Sequence, residues 1–221
     1  MSIFNQLKKK LARLVTVQPT FDPSTLNDPL ALKTKWTPAK SGGASFGTHR
    51  LKKISPNRVE FQPRALAVLF PVVFMIIGLI SAITMGTAGR NGDIMMLYIG
   101  VPVGCIFFFV GLFILRGWLA PRVFDRRLGM YWRGRQTPKL GQPDKTRSWR
   151  LSSIHAVQLI SEYCTNNSTS GASSSYYSYE LNLVFRNAQR VNVVDHGNHT
   201  HIMEDARALT DFLGVPLWDA T

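Results

Sequence analysis

The sequence has few acidic residues, few cysteines and few signs of catalysis. Its 221 residues include 13 Asp and Glu against 26 Lys and Arg, with only two cysteines. Paired carboxylates for acid–base chemistry are therefore scarce. Neither an HExxH zinc motif nor a GK[ST] phosphate loop is present. No serine is predicted to act as a nucleophile, so we expect a protein that is not an enzyme and that uses no cofactor.

Charged residues are missing altogether from two long stretches in the middle of the chain. Residues 65–89 and 94–115 contain no Asp, Glu, Lys, Arg or His. At about 1.5 Å per helical residue, each stretch is long enough to cross the roughly 30 Å apolar core of a bilayer. Only the turn from Arg90 to Asp93 separates them. The pattern predicts a transmembrane hairpin over residues 64–117, with spans at about 65–86 and 94–115.

The excess of positive charge flanks this hairpin. Five cations lie in the twenty residues before the first span and six in the twenty after the second, whereas the turn balances Arg90 against Asp93. By the positive-inside rule, both termini are predicted to be cytoplasmic. Anionic lipid headgroups explain the net charge of +13 better than nucleic acid, which is not expected as a partner. The predicted lipid-facing cations are Lys8, Lys9, Lys10, Arg13, Arg116 and Arg122.

Three segments precede the hairpin. Residues 1–17 have the period of a basic amphipathic helix, which either lies on anionic lipid or packs on the protein itself. Residues 18–47 contain four prolines and a Gly/Ser run, and they predict a linker. Residues 48–63 predict a β-hairpin around Ser55-Pro56-Asn57. The sequence leaves open whether this β-hairpin joins the strands that follow the membrane segment.

Small residues recur at helical intervals along both spans. They place little side-chain bulk on one face, so another helix can approach closely. That helix is either the other half of the hairpin, which we favour because a GxxxG pattern is common, or a helix of another protein. The predicted helix-packing residues are Gly78, Ala82 and Gly86 in the first span and Gly100, Gly104 and Gly111 in the second.

Residues 118–221 predict a mainly β domain that ends in a helix over residues 201–213. Strands are expected at 123–132, 149–151, 154–161, 176–186 and 189–194. In the fourth of these, alternation predicts that Tyr177, Tyr179 and Leu181 face the core. Residues 163–175 are rich in Asn, Ser and Thr and predict a mobile loop.

One surface for a protein partner is predicted beside that loop. Tyr176, with Asn166 and Asn167, combines a rigid aromatic ring with adaptable polar side chains, a composition that suits protein binding.

A histidine cluster is the strongest candidate metal site in the sequence. His196, His199 and His201 lie within seven residues of Asp195 and have the residue types that bind zinc or nickel. However, a strand turns into the final helix here, and Asp, Asn and Thr are ordinary turn and cap residues. We favour the turn and cap interpretation, so no metal is predicted.

The strands and the final helix together resemble the pleckstrin-homology-like class of bacterial inner-membrane proteins. The resemblance covers about residues 120–214 and rests on residues 124–128 (Phe-Asp-Arg-Arg-Leu), residues 151–154 (Leu-Ser-Ser-Ile) and the final helix. Proteins of this class place a bent β-barrel or sandwich, closed by a helix, directly after a two-helix membrane hairpin. The resemblance therefore implies a multi-pass inner-membrane protein with a cytoplasmic β-domain of this type.

Three functions are compatible with these patterns. We expect a non-enzymatic membrane protein whose β-domain recruits or scaffolds a partner protein, aided by anionic lipid. An accessory or immunity-type subunit of a larger membrane complex is the alternative. A metal-dependent enzyme that uses the histidine cluster is the third and least favoured function.

Overall fold

A computed structural model describes residues 21–138, 148–167 and 173–221. These residues form two compact units. The sheet–hairpin unit comprises the described residues between Phe46 and Ser152, and the ribbon unit comprises residues 21–45 together with the described residues from Ser153 to Thr221. The amphipathic helix predicted over residues 1–17, with Lys8, Lys9, Lys10 and Arg13, lies outside the described residues.

Two long apolar helices dominate the sheet–hairpin unit, as the sequence predicts. Helix α2 (Ala65–Arg90) leads through a short turn and a π-helical segment (Met96–Gly100) into α3 (Val101–Trp118). Helix α2 and the continuous helical stretch from Met96 to Trp118 are each long and apolar enough to cross a membrane. Their large side chains point mostly outward, and Phe113 is 80% exposed. A surface of this kind is stable in contact with lipid tails rather than water.

The small residues of the two spans lie where α2 and α3 contact each other. A Cβ atom on Gly78 would come within 2.5 Å of the Phe108 amide nitrogen, and one on Gly104 within 2.6 Å of the Ala82 nitrogen. The helices therefore approach backbone to backbone, and only glycine fits at these points. The other three predicted glycines also face the opposite helix: Gly86, Gly100 and Gly111.

The strands of this unit form one antiparallel sheet that is built from both sides of the helical hairpin. Strand β2 (Arg58–Pro63) pairs with β3 (Arg122–Asp125), so Phe61 lies opposite Arg122 although the two helices separate them in sequence. The β-hairpin before the first span thus joins the strands after the second. The order is β1 (His49–Ser55), β2 (Arg58–Pro63), β3 (Arg122–Asp125), β4 (Met130–Arg133) and β5 (Ser148–Arg150).

Stacked aromatic rings hold one face of this sheet together. Phe124 stacks on Tyr131 with ring centroids 4.5 Å apart, and Tyr131 stacks on Trp149 at 5.3 Å. Phe124 and Tyr131 are completely buried. Cross-strand aromatic pairs of this kind fix the register of neighbouring strands.

The predicted single strand over residues 123–132 is wrong. The chain reverses between β3 and β4 at residues 126–129, where Asp125 accepts hydrogen bonds from the Arg127 and Leu128 amides and Gly129 has a φ of 64°. These residues supply a turn because an Asp side chain can cap the turn and glycine tolerates positive φ. The predicted single domain over residues 118–221 is also wrong, because β3, β4 and β5 belong to the sheet–hairpin unit.

The ribbon unit contains a second sheet with a helix on one face. Its strands are β6 (Ile154–Asn167), β7 (Ser173–Phe185), β8 (Arg190–His196) and β9 (Leu217–Ala220), in the order β8-β7-β6-β9 with β9 parallel to β6. Helix α4 (His199–Leu213) packs on β6, β7 and β9 through its buried Ile202, Ala206 and Leu209. The C-terminal helix is confirmed, with Asn198 as its N-cap and Gly214 ending it.

The linker predicted over residues 18–47 is wrong in its described part. Residues 23–26 form a 3₁₀ turn, and residues 29–33 form a short helix, α1 (Pro29–Lys33). Ala31 of α1 is completely buried in a cluster with Ala156, Val184 and Trp218 on the face of the second sheet opposite α4. The prolines here begin helices, since proline is favourable at the first helical position.

Candidate functional site: the β-ribbon and the strap that covers it

Strands β6 and β7 extend well past both of their neighbours. Strand β9 pairs with β6 only over residues 157–160, and β8 pairs with β7 only over residues 179–184. The ladder between β6 and β7 continues as far as Asn167 and Ser173. Within the described part of the chain, no third strand pairs with residues 161–167 or 173–178, which we call the β-ribbon. The loop predicted over residues 163–175 is therefore strand at both of its described ends.

One face of the β-ribbon carries two tyrosines. Tyr163 and Tyr177 are opposite each other in the ladder, with ring centroids 5.1 Å apart. The Tyr177 side chain is 54% exposed. The prediction that Tyr177 faces the core is wrong, because the ribbon projects beyond the area that α4 covers. Tyr179 follows two residues later in β7 on the same face; it is half-buried, and its ring contacts the ring of His199 in α4.

The other face of the β-ribbon holds Tyr176, the predicted partner-binding residue. Tyr176 is half-buried and lies opposite Cys164 in the β6–β7 ladder. Burial, together with the nearby Glu162 carboxylate, raises the pKa of the Cys164 thiol and of the Tyr176 phenol. Both groups are therefore neutral at physiological pH. Asn166 and Asn167 lie farther along β6, where the ladder pairs them with Ser174 and Ser173.

An extended N-terminal segment, residues 34–45, lies across this second face; we call it the strap. Its backbone donates hydrogen bonds to side chains of the sheet. The Ala39 and Lys40 amides donate to the two Glu180 carboxylate oxygens at 2.8 and 3.0 Å, and the Ala44 amide donates to Ser178 Oγ at 2.7 Å. Glu180 is 2% exposed and Ser178 1%. The strap thus satisfies polar groups that would be costly to bury alone.

Close approach at Gly43 fixes the height of the strap above the sheet. A Cβ atom on Gly43 would lie 2.2 Å from Ser178 Cβ. A side chain at this position would have to lift the strap from the sheet, so glycine is required here by space rather than by φ. The Gly42 amide beside it donates to Glu162 Oε1 at 3.2 Å.

A buried amide network continues from the strap toward β8. Gln158 is completely buried; its Nε2 donates to the Lys35 carbonyl oxygen at 3.1 Å, and its Oε1 accepts from Arg190 Nη1 at 3.1 Å. Asn182, also completely buried, donates to Glu180 Oε1. Burial lowers the pKa of the Arg190 guanidinium more than the attraction of Glu180 raises it.

The histidine cluster does not converge on one point. His196 is completely buried and hydrogen-bonds the Asn198 backbone, His199 Nε2 contacts Thr221 Oγ1 at 2.8 Å, and His201 lies 3.7 Å from Glu204. Among the described residues, no group of three or more His, Cys, Asp or Glu side chains is arranged to hold a metal ion.

The two predicted lipid-facing cations that the structure describes differ in environment. Arg116 is exposed in the last turn of α3. Arg122, in β3, is half-buried and its guanidinium contacts His49 Nε2. Arg122 is therefore a structural residue of the sheet, and the lipid-facing role predicted for it is not supported.

Sequence reasoning missed the strap, Glu180 and Gln158. The signal for Glu180 is the alternation along β7, which places Ser178, Glu180 and Asn182 on one face and by itself predicts that they face solvent. Sequence reasoning also missed a Gly-Ala-Ser-Phe-Gly segment at residues 43–47, which matches the GxSxG pattern of serine hydrolases. That pattern acts at a sharp turn from a strand into a helix, whereas residues 43–47 run from the strap toward β1.

A comparison with models of protein families, with curated proteins and with solved structures found no match to this chain.

Proposed function

We propose that this chain is a non-enzymatic membrane protein that recruits a partner protein through its β-ribbon. The observation that carries the proposal is the extension of β6 and β7 past their neighbours, with Tyr177 exposed at its surface. Unpaired strand edges offer a row of backbone donors and acceptors to an added strand. Exposed tyrosines contribute strongly to protein interfaces because they bury a large rigid surface at low entropic cost.

The helical hairpin supports an anchoring role in the same proposal. The outward-facing Ile, Leu and Phe side chains of α2 and α3 need an apolar surround. The cations that flank both helices favour an inner membrane with both termini in the cytoplasm, and they favour anionic lipid next to residues such as Arg116. The β-ribbon would then face cytoplasmic partners.

A pleckstrin-homology-like architecture belongs to the proposal as well. It is supported by the antiparallel strands β6 to β8 and by the amphipathic helix α4 that follows them. The order of elements in the ribbon unit departs from that class after α4, because the chain continues into a further strand, β9, which is parallel to β6. The alternative of an accessory subunit that docks through the small-residue faces has less support, because those faces meet inside the hairpin.

Site-specific photo-crosslinking in the native membrane tests the recruitment proposal. A photoreactive amino acid at position 177 is compared with one at position 32, since Leu32 is also exposed, at 63%, in the same unit. We expect one discrete protein adduct from position 177 and none from position 32. Stoichiometric co-purification of that protein should be lost in Tyr177→Ser and retained in Leu32→Ser. Equal adducts at both positions, or co-purification that survives Tyr177→Ser, would contradict the proposal.

A further inference from the structure

A cleft of about 720 Å³ opens in the ribbon unit between the start of the strap and the β7–β8 turn. One side is formed by Lys33, Lys35 and residues 37–39, and the other by residues 187–191. The volume lies in the range of sites that hold small organic molecules. None of the residues assigned to partner recruitment lines this cleft, so it is a separate surface.

The charge of the cleft is positive only. Lys33, Lys35 and Arg190 line it, and its walls contain no Asp or Glu. Three cations around one concave surface repel one another and raise the local concentration of anions. Among them, Arg190 is half-buried, whereas both lysine side chains are exposed and adaptable.

A buried hydrogen-bond bridge holds two of these residues in fixed relation. The Gln158 amide accepts from Arg190 Nη1 and donates to the Lys35 carbonyl oxygen, each at 3.1 Å. Arg190 and the Lys35 backbone are therefore positioned across the cleft before any ligand arrives. Glu180, the carboxylate that attracts Arg190, is already engaged by the amides of Ala39 and Lys40. A further anion at the guanidinium would offset the remaining cost of its burial.

We propose that this cleft binds a phosphate-bearing ligand. A guanidinium offers two parallel donors to phosphate oxygens, and each lysine adds a further positive charge. A ligand with a single carboxylate would not balance these charges. The hydroxyl of Thr37 and the amides of Asn187 and Gln189 line the same walls and can donate to the remaining oxygens. Pro38 and Val191 provide apolar contact for the organic part. The phosphate belongs either to a soluble compound or to a lipid headgroup, since both present the same group.

Binding measurements on the full chain in detergent separate these two sources. Inorganic pyrophosphate is the soluble probe, and dihexanoyl phosphatidic acid is the headgroup probe, with dihexanoyl phosphatidylcholine for comparison. The test variant is Lys33→Gln with Lys35→Gln. The matched control is Lys40→Gln with Arg207→Gln, which removes two exposed cations from the same unit outside the cleft. Thermal unfolding of each variant verifies that the fold is intact.

We expect the test variant to weaken binding about tenfold, which is about 1.4 kcal/mol, while the control stays close to wild type. Pyrophosphate binding with this pattern supports the site and a soluble ligand, since no acyl chain is needed. The same pattern with phosphatidic acid alone supports the site and a lipid headgroup. The proposal is overturned if neither probe binds, if phosphatidylcholine binds as tightly as phosphatidic acid, or if both variants weaken binding equally.

Discussion

At the scale of single residues, Asp28 and His155 hold the N-terminal segment on the second sheet. His155 Nε2 donates to Asp28 Oδ2 at 2.7 Å, and the Leu30 amide donates to Asp28 Oδ1 at 2.9 Å. Burial by itself raises the pKa of the Asp28 carboxyl, but these hydrogen bonds and the His155 charge together lower it below its usual value. Asp28 therefore stabilises the fold in its ionised form.

The direction of the Asp28 pKa shift determines how this contribution to stability depends on pH. A lowered folded-state pKa gives stability that is present above the unfolded pKa of about 3.9 and is lost as the pH falls through the folded value. We expect Asp28→Asn, which keeps the cap acceptor for Leu30, to cost about 1 kcal/mol above pH ~5 and progressively less below pH ~4. Thermal unfolding across this range measures the difference. His155→Gln should add little to Asp28→Asn, and a difference from wild type that stays constant to the lowest pH would refute the assignment.

Single residues also show where patterns in the sequence no longer predict which side chains are buried. Alternation along β7 predicts that Leu181 is buried, and it is completely buried. The same alternation implies that Glu180 and Asn182 face water, yet both are buried. The partners of Glu180 are backbone amides about 140 positions earlier in the chain, and Asn182 in turn donates to the Glu180 carboxylate. No local pattern encodes such contacts.

At the scale of elements, the contact between α2 and α3 depends on glycine. Gly104→Ala would place a methyl group 2.6 Å from the Ala82 nitrogen, so the helices would have to separate. We expect a loss of about 1–3 kcal/mol, as for other overpacked contacts. Gly117→Ala, in the same helix with open space around it, should be neutral or stabilising by up to about 1 kcal/mol. Thermal unfolding of both variants in one detergent measures this, and equal effects would show that the contact is not tight.

Elements differ in how well the sequence predicts them. The two apolar helices and α4 follow from length, composition and caps, since their residues interact mainly with near neighbours. The sequence of the strap predicts a linker, because its prolines and glycines are typical of one. Its ordered conformation depends on Glu162 and Ser178 of the β-ribbon and on Glu180 farther along β7, all of which are distant from the strap in sequence. Candidate sites that combine such distant segments could not be predicted from sequence.

At the scale of the whole molecule, the proposed topology makes a definite prediction. In a chain with Cys105 and Cys164 changed to Ser, single cysteines are introduced by Ser24→Cys, Asn91→Cys and Thr221→Cys. A membrane-impermeant thiol reagent applied to intact cells should label only the cysteine at position 91, in the turn between the helices. Labelling at position 24 or 221 before the cells are opened would show that the cytoplasmic assignment is wrong.

The first sheet makes folding of the sheet–hairpin unit conditional on correct insertion. Strand β2 ends at Pro63 immediately before α2, and β3 begins at Arg122 soon after α3, yet the two strands share one ladder. If the helices cross a bilayer, this ladder can close only after the second helix has returned the chain to the side from which the first departed. During synthesis, β1 and β2 must wait for about sixty further residues before their partner strand exists. A chain with one helix left outside the bilayer would keep an unpaired strand edge at β2. Chaperones and proteases can recognise such an edge.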